Sequence, residues 1–524
     1  MGCMDSSPHP VNQINRLVGQ IPSINKALPL PSLALSTVVS RDGRSVYASS
    51  DTLFKGAVFG RDSLEVADDL LSVKPGLAHN ILLTMGRLQG LENNGTNEEQ
   101  PGKIVHEYRQ TELDGKPIDS TSMQIFQELA RKWGGTDSEL AYYGSVDATP
   151  HFMRTLGAYC LRHGTAILSE SVIQRDGNKV DMLHVAAGAT TWLLGQLANA
   201  KSGLLEYKKL NPHGISNQVW KDSEEFYVHE DGQQANHNRP IASIEVQGLA
   251  YDALITAAQL WPDQSTDYTS RAHTLRDQTI KYLWQPDRRY FALGLDYDSE
   301  NKLRTITTPT ANPAALLDTG FFDDLPTEDR RHYVSALVER ITSKDFLTNG
   351  GVRSRSLDMA HLVPFWDYHG SYVSWPKETY DIAKGMRRQG FDSLSRQLEN
   401  RLLNIVLKTR EYPEFVYVDG WGRLLTGKPS THAHGNIVFV QGTNVPERLQ
   451  AWTVSALMAI VSGRGRAGSN GKKTAAVMPW QHDLQNRIMS HIPHVDVHIN
   501  PLKLWLQYPT HKYHLSGRNN GSVS

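Results

Sequence analysis

Apolar positions along this 524-residue chain recur mostly at three- to four-residue intervals, the period of a helix with one buried face. Residues 393–406 set Leu394, Leu398, Leu402 and Ile405 at that spacing, and Tyr333, Leu337, Val338 and Ile341 repeat it one segment earlier. The same pattern predicts helices over 63–71, 77–91, 148–161, 183–198, 244–260, 270–284 and 445–461. Strand signals are few. Residues 33–49 carry β-branched side chains around an Arg41-Asp42-Gly43 turn and read as a short hairpin, and 495–506 alternates enough for a strand or two. The first 30 or so residues lack a period, 462–473 reads as a solvated Gly- and Lys-rich linker, and the last residues are expected to be disordered.

The loops between these helices are long and rich in Gly, Pro, aromatic and charged residues. That combination predicts an all-α scaffold with minor β accessories at the termini, whose loops converge on a site. The expected organisation is an N-terminal extension over 1–55 with the short hairpin, a helical unit over 56–462, and a linker with a small β or disordered extension over 463–524.

Composition narrows the function. With 39% apolar and 21% charged residues, 11 Trp, 20 Tyr and 13 Phe, the chain is an ordinary globular protein. Its 54 basic and 55 acidic residues nearly cancel, and no basic patch stands out, so a nucleic-acid partner is not expected and a neutral substrate suits the balance. The two cysteines, Cys3 and Cys160, are too far apart in sequence to suggest a disulfide framework or a cysteine metal site. No secretory signal is visible, and the apolar stretches 182–200 and 451–461 are interrupted or short, so a cytoplasmic protein without a membrane span is the default expectation. Gly2 and Ser6 match the short myristoylation pattern and Cys3 could be acylated, but an unmodified, flexible start is the favoured reading. His432 and His434 have no carboxylate or cysteine at ligand spacing, and Asp296-Tyr-Asp298-Ser-Glu300 lacks the later glycine and glutamate of a calcium loop. No metal or cofactor is expected.

The densest chemistry lies in 217–223 (Asn-Gln-Val-Trp-Lys-Asp-Ser) and 241–248, with Trp220, Lys221, Asp222, Glu245 and Gln247. An indole, amides and carboxylates together suit a sugar, which binds by stacking and by paired hydrogen bonds. Acid catalysis at a glycosidic oxygen needs a carboxyl held protonated, and Asp222 beside an aromatic wall is a candidate. On those residues alone, a helix cap with a surface ion pair is the better reading. The second carboxylate could come from Glu411-Tyr-Pro-Glu414, where Pro413 fixes the backbone, although a loop glutamate is by default solvated. Clusters around Arg61 and Asp62, around Glu107, around Tyr143 and Asp147, and over 368–375 share the polar and aromatic character, and each could equally be a capping network.

Taken in order, these clusters resemble the catalytic domain of bacterial amylo-α-1,6-glucosidases and glycogen-debranching-like proteins, relatives of the glucoamylase-type six-hairpin glycosidases. The resemblance runs from about residue 59 to 459 and rests on Gly-Arg-Asp-Ser, Gly-Lys-Ile-Val-His-Glu-Tyr-Arg, Tyr-Tyr-Gly-Ser-Val-Asp-Ala-Thr-Pro, Asn-Gln-Val-Trp-Lys-Asp-Ser and Glu-Val-Gln-Gly. Residues 290–296, 350–354, 387–391 and Gln450-Ala-Trp452 extend it. It implies an (α/α)6 barrel with a sugar pocket at one end and no obligatory cofactor. It also implies Asp222 as general acid and Glu414 as general base of an inverting, exo-acting hydrolase that releases a terminal sugar, most simply glucose. Arg61, Asp62, Glu107, Tyr143, Asp147, Trp220, Lys221, Glu245, Gln247, His369, Trp375 and Trp452 would bind the carbohydrate.

Two departures shape the expectation. The segments Pro-Glu-Phe-Val and Tyr-His-Gly-Ser-Tyr-Val-Ser-Trp-Pro differ from the usual Pro-Glu-Leu-Phe and Tyr-His-Asn-Gly-Ser-Val-Trp-Pro, which leaves Glu411 first, then Glu378 and Glu447, as rival bases. Only some 55 residues precede Gly-Arg-Asp and no transferase domain is visible, so a small glycoside such as glucosylglycerate, mannosylglycerate or a disaccharide is the alternative substrate. A carbohydrate-binding protein on the same scaffold is the alternative of another class, with a phosphorylase or epimerase beside it. The sequence specifies no oligomeric state.

Overall fold

The computed structural model describes residues 29–50, 53–363, 367–425, 445–467 and 478–497, together with the strand pair Ala433–His434 and Ile437–Val438. Its helices are α1 (Pro31–Val38), α2 (Gly60–Leu70), α3 (Pro75–Arg87), α4 (Ser120–Trp133), α5 (Ala148–His163), α6 (Met182–Asn199) and α7 (Ile244–Leu260). They continue with α8 (Ser265–Leu283), α9 (Thr327–Ile341), α10 (Pro376–Arg388), α11 (Asp392–Thr409), α12 (Ala451–Ala467) and α13 (Pro479–Met489). This is a helix-rich fold with small sheets, compatible with an all-α barrel.

Contacts sort the helices into two layers. In the inner layer α2 packs on α5, α5 on α7, α7 on the 3-10 segment Asn312–Asp318, that segment on α10, α10 on α12, and α12 on α2. Each has an outer companion: α3 on α2, α6 on α5, α8 on α7, α9 on Asn312–Asp318, α11 on α10 and α1 on α12. Burial follows the layering. The inner α2 and α10 bury nearly every residue of their first turns, charged ones included, whereas the outer α8 buries only a stripe from Tyr268 to Leu283. Where inner helices face one another, ion pairs replace hydrocarbon: Lys377 Nζ lies 2.7 Å from Glu65 and 2.8 Å from Asp381, and Lys384 Nζ 3.1 Å from Asp69. Such buried charges are tolerated only when paired, so they fix which helix faces which.

Short strands lead into several inner helices. Val58–Phe59 precedes α2 and pairs with Glu107–Gln110; Ala242–Ser243 precedes α7 and pairs with Gly294–Tyr297; Val373–Ser374 precedes α10 and pairs with Val416–Tyr417. These pairings gather loops at the N-terminal ends of the inner helices. Gly60 makes the first one possible: a Cβ there would stand 2.0 Å from the Val105 carbonyl oxygen, so only glycine lets α2 start this close to the neighbouring loop.

Several expectations need correction. Residues 31–38 form a helix, initiated by Pro31 in the first turn, and only the later half of the expected hairpin exists, as the antiparallel bridge Val39↔Val46. Helix α12 runs on to Ala467 through the first half of the expected linker, past Gly463 and Gly465, each of which costs only about 1 kcal/mol in a helix interior. Helices α4 and α13 were not anticipated. The expected terminal strand at 495–506 has no regular structure over 495–497, and the remainder, like Gly2, Cys3 and His432, lies outside the described residues. Residues 296–302, weighed as a calcium loop, form a β-hairpin turn in which Asp298 Oδ1 accepts from the Glu300 and Lys302 amides. Among the described residues no helix is long and apolar enough to cross a membrane.

Candidate active site

A cavity of about 1080 Å³, its open mouth included, lies at these helix N-terminal ends. Of the residues selected from the sequence, Arg61, Asp62, Glu107, Trp220, Asp222, His369, Trp375, Glu414 and Trp452 line it. Arg61 and Asp62 come from the first turn of α2, Trp375 from the cap of α10, and Gln450 and Trp452 from the start of α12. Gln450 Nε2 donates to Asp62 Oδ1 at 3.1 Å, which ties the start of α12 to the start of α2.

Asp222 sits on the long excursion between α6 and α7, where consecutive side chains face opposite ways. Trp220 and Asp222 face the cavity, while Lys221 points away and is fully buried, with its Nζ bonded to Glu378, to Asn312 Oδ1 at 2.9 Å and to the Ser354 carbonyl at 3.3 Å. Lys221 thus anchors the loop that carries its neighbours. Tyr368 donates to Asp222 Oδ1 at 2.6 Å, and His369 Nε2 stands 3.6 Å from the same oxygen, beyond hydrogen-bonding range. Glu414 accepts the Glu447 amide at 3.1 Å and donates its own amide to the Glu447 carbonyl at 2.9 Å. Of the rival bases, Glu411 is held by Arg448 at 2.6 Å and Glu378 by Lys221, while Glu447 is the one beside Glu414.

The two carboxyls lie in opposite electrostatic settings. Burial pushes Glu414 well above the usual carboxylate range, and the Glu447 carboxylate next to it adds to the effect. Burial also raises Asp222, but His369, Arg61 and the Tyr368 hydroxyl outweigh it and hold the group at about 2. Of the two carboxyls, Glu414 therefore holds a proton the more strongly and Asp222 ionises the more readily. Asp62, also in the cavity, is raised by burial to about 7 against the pull of Arg61.

The indoles of Trp220 and Trp375 meet edge to face at 5.3 Å, and Trp375 stacks on His369 at 4.9 Å and meets Trp452 at 5.9 Å. Around them several buried atoms have no hydrogen-bond partner among the described residues: both His369 ring nitrogens, His106 Nδ1, Arg61 Nε, Gln450 Oε1 and Trp452 Nε1. Buried polar atoms are rarely left this way in a folded protein, and their concentration at one cavity is what a polyhydroxylated ligand would satisfy.

Five sequence-selected residues fall elsewhere. Asp147 and Glu245 line a second cavity beneath the first, to which Arg61 and Trp220 also contribute. Asp147 pairs with Arg61 at 2.7 Å, and Glu245 accepts from Asn312 and is raised by burial to about 7. Gln247 clamps Leu205 through both its amide and carbonyl, at 2.8 and 2.9 Å. Tyr143 donates to the Leu88 carbonyl at 2.9 Å, and with Lys221 these two serve the framework. Tyr368, Gln450, His106, Arg109 and Phe415 line the site but were not selected, although all stand within or beside the quoted motifs. The face of α4 that closes the cavity lies in none of them.

No family profile matches the chain and no curated protein matches it in sequence, so the likeness to amylo-α-1,6-glucosidases rests on the motifs themselves. Solved structures do match. The crystal structure of GH63 mannosylglycerate hydrolase from Thermus thermophilus in complex with glucose aligns over 82% of this chain and 100% of its own, at 13% identity and a TM-score of 0.51. The same hydrolase in complex with Tris aligns over the same shares at 12% identity and TM-score 0.51. An uncharacterized conserved protein from that organism aligns over 82% of this chain and 98% of its own, at 11% identity and TM-score 0.51. At these identities the likeness is one of architecture: the chain shares the fold of these structures.

Proposed function

We propose that this protein is an inverting, exo-acting glycoside hydrolase that releases a terminal sugar, most simply glucose, from a small α-glycoside. The observation that carries the reading is a single cavity in which Asp222 and Glu414 stand with an indole wall and a set of unpartnered buried donors and acceptors. The layered helix contacts support reading the fold as an (α/α)6 barrel with its site at the inner-helix N-termini. On that reading α1 supplies the sixth outer helix, so the barrel begins before residue 56. The shared architecture with a mannosylglycerate hydrolase supports a small glycoside over a branched polymer.

In the proposed reaction Asp222 protonates the glycosidic oxygen as its bond to the anomeric carbon breaks. Glu414 takes a proton from a water that attacks the same carbon from the opposite face. The products are the sugar with inverted anomeric configuration and the free alcohol. Such a mechanism requires the carboxyls about 6.5–9.5 Å apart, to leave room for the water. One proton shared by the pair is sufficient, and catalysis runs through the form that carries it on Asp222. The stronger hold of Glu414 on a proton favours a second reading, in which Glu414 is the acid and Asp222 the base.

The test is the pair of variants Asp222→Asn and Glu414→Gln against a panel of small α-glycosides, with calorimetric sugar binding as control. Each variant is expected to lose turnover and keep binding. Near-normal turnover in either removes that residue from the mechanism.

A further inference from the structure

The cavity has two chemically different walls. On the sugar side buried nitrogen and oxygen atoms are unpartnered and the flat faces are indoles. The other wall is largely aliphatic: Leu53, Ile125, Leu129 and Ile215, with Phe54 and the Trp133 indole. Helix α4 builds half of it. Asp119 caps the helix by accepting the Ser122 amide at 2.9 Å, and Gly134, in the left-handed conformation at φ 78°, ends it. Between those signals Ile125, Leu129 and Trp133 recur at four-residue spacing and present one apolar stripe.

Several polar groups of this wall are already satisfied within the protein. Trp133 Nε1 donates to the His213 carbonyl at 3.1 Å, the Ile215 amide to Tyr142 Oη at 2.9 Å, the Leu53 amide to Glu447 at 3.3 Å, and Arg109 to the Leu53 carbonyl at 3.0 Å. The Arg109 guanidinium is also paired with Glu107. A second sugar or a glycerate carboxylate lying here would lose hydration without equivalent partners. A hydrocarbon would lose nothing.

We propose that the aglycone side of the cavity is an alkyl-binding wall, so that the preferred substrates are α-glycosides of an aliphatic alcohol. This rests on the hydrolase reading above, since it names the leaving group of the same reaction. The sugar is held among the indoles and the carboxyls, and the alcohol's chain lies along Leu53, Ile125, Leu129 and Ile215.

The experiment is a series of methyl, ethyl, butyl, hexyl and octyl α-glucosides and α-mannosides. Leaving-group acidity is nearly constant in the series while buried hydrocarbon grows. In the wild type kcat/KM is expected to rise about fourfold per added carbon until the wall is covered, the fold-change of one fully buried methylene. Ile125→Ser should flatten that slope. Because the variant could fail to fold, affinity for the same series is measured in parallel by calorimetry on Asp222→Asn, which leaves the aliphatic wall unaltered. A flat slope in both rate and affinity, with methyl glycosides hydrolysed, overturns the alkyl wall and leaves the hydrolase reading standing. Absence of turnover with affinity rising along the chain does the reverse.

Discussion

Replacing Tyr368 with Phe removes the hydroxyl that donates to Asp222 Oδ1 across 2.6 Å and leaves the ring in place. That hydroxyl stays protonated throughout the working range, because burial and the Asp222 charge push its own pKa well above 10. A hydrogen bond to a charged acceptor contributes about 1.5–3 kcal/mol. At about 1.4 kcal/mol per factor of ten in the acid constant, its loss raises the Asp222 pKa by about 1 to 2. The sign is fixed by the chemistry: the bond favours the ionised form, so its removal favours the protonated one. The group would move from about 2 to roughly 3–4, with Arg61 and His369 still beside it. The assay is kcat/KM against pH from 3 to 8, with tryptophan fluorescence to show that the fold persists at each point. The acidic limb of that profile reports the lower of the pair's macroscopic pKa values. The wild type should be nearly flat down to pH 3, whereas the variant should lose half its rate between about pH 3 and 4. If Asp222 is the acid, the population carrying its proton grows and the plateau does not fall. An acidic limb that stays where it is in the wild type would refute the electrostatic account of Asp222.

Other consequences follow from the same geometry. α-Glucosyl fluoride needs little protonation to depart, so Asp222→Asn should hydrolyse it within tenfold of wild type while Glu414→Gln should fall by roughly a thousandfold; the reverse order in single-turnover assays assigns the acid to Glu414. Lys221→Met leaves Glu378 buried without its cation, and urea unfolding should register a loss of about 3–5 kcal/mol, largely recovered by adding Glu378→Leu. An unchanged unfolding midpoint would mean that Lys221 does not anchor its loop. Trp452→Phe keeps an aromatic face but removes the unpartnered Nε1, so sugar affinity by calorimetry should weaken by up to about tenfold. Unaltered affinity would take Trp452 out of the sugar contacts.

How far the sequence could be read depended on whether the decisive signal was local. The 244–260 pattern matched α7 end to end, because its apolar residues and its boundaries lie in one stretch. Helix α4 carried equally local signals, the Asp119 cap, the Ile125, Leu129 and Trp133 spacing and the Gly134 stop, and could have been read from them. The motifs pointed to the right region of the site but not to which members face it: Trp220, Lys221 and Asp222 are adjacent, yet the middle one turns into the charged interior between helices. Likewise Glu411 and Glu447 are both glutamates near Glu414, and only folding puts Arg448 on one and the Ser49 hydroxyl and Leu53 amide on the other. The aliphatic wall was not legible at all, since its members come from segments around residues 53, 125 and 215 that meet only in three dimensions.

Proton NMR of the first sugar released from an α-glycoside by the wild type, with Asp222→Asn as control, distinguishes inversion from retention. The β-anomer should appear first and slowly mutarotate, and the variant should release nothing. Release of the α-anomer by the wild type would contradict the inverting acid–base pair formed by Asp222 and Glu414.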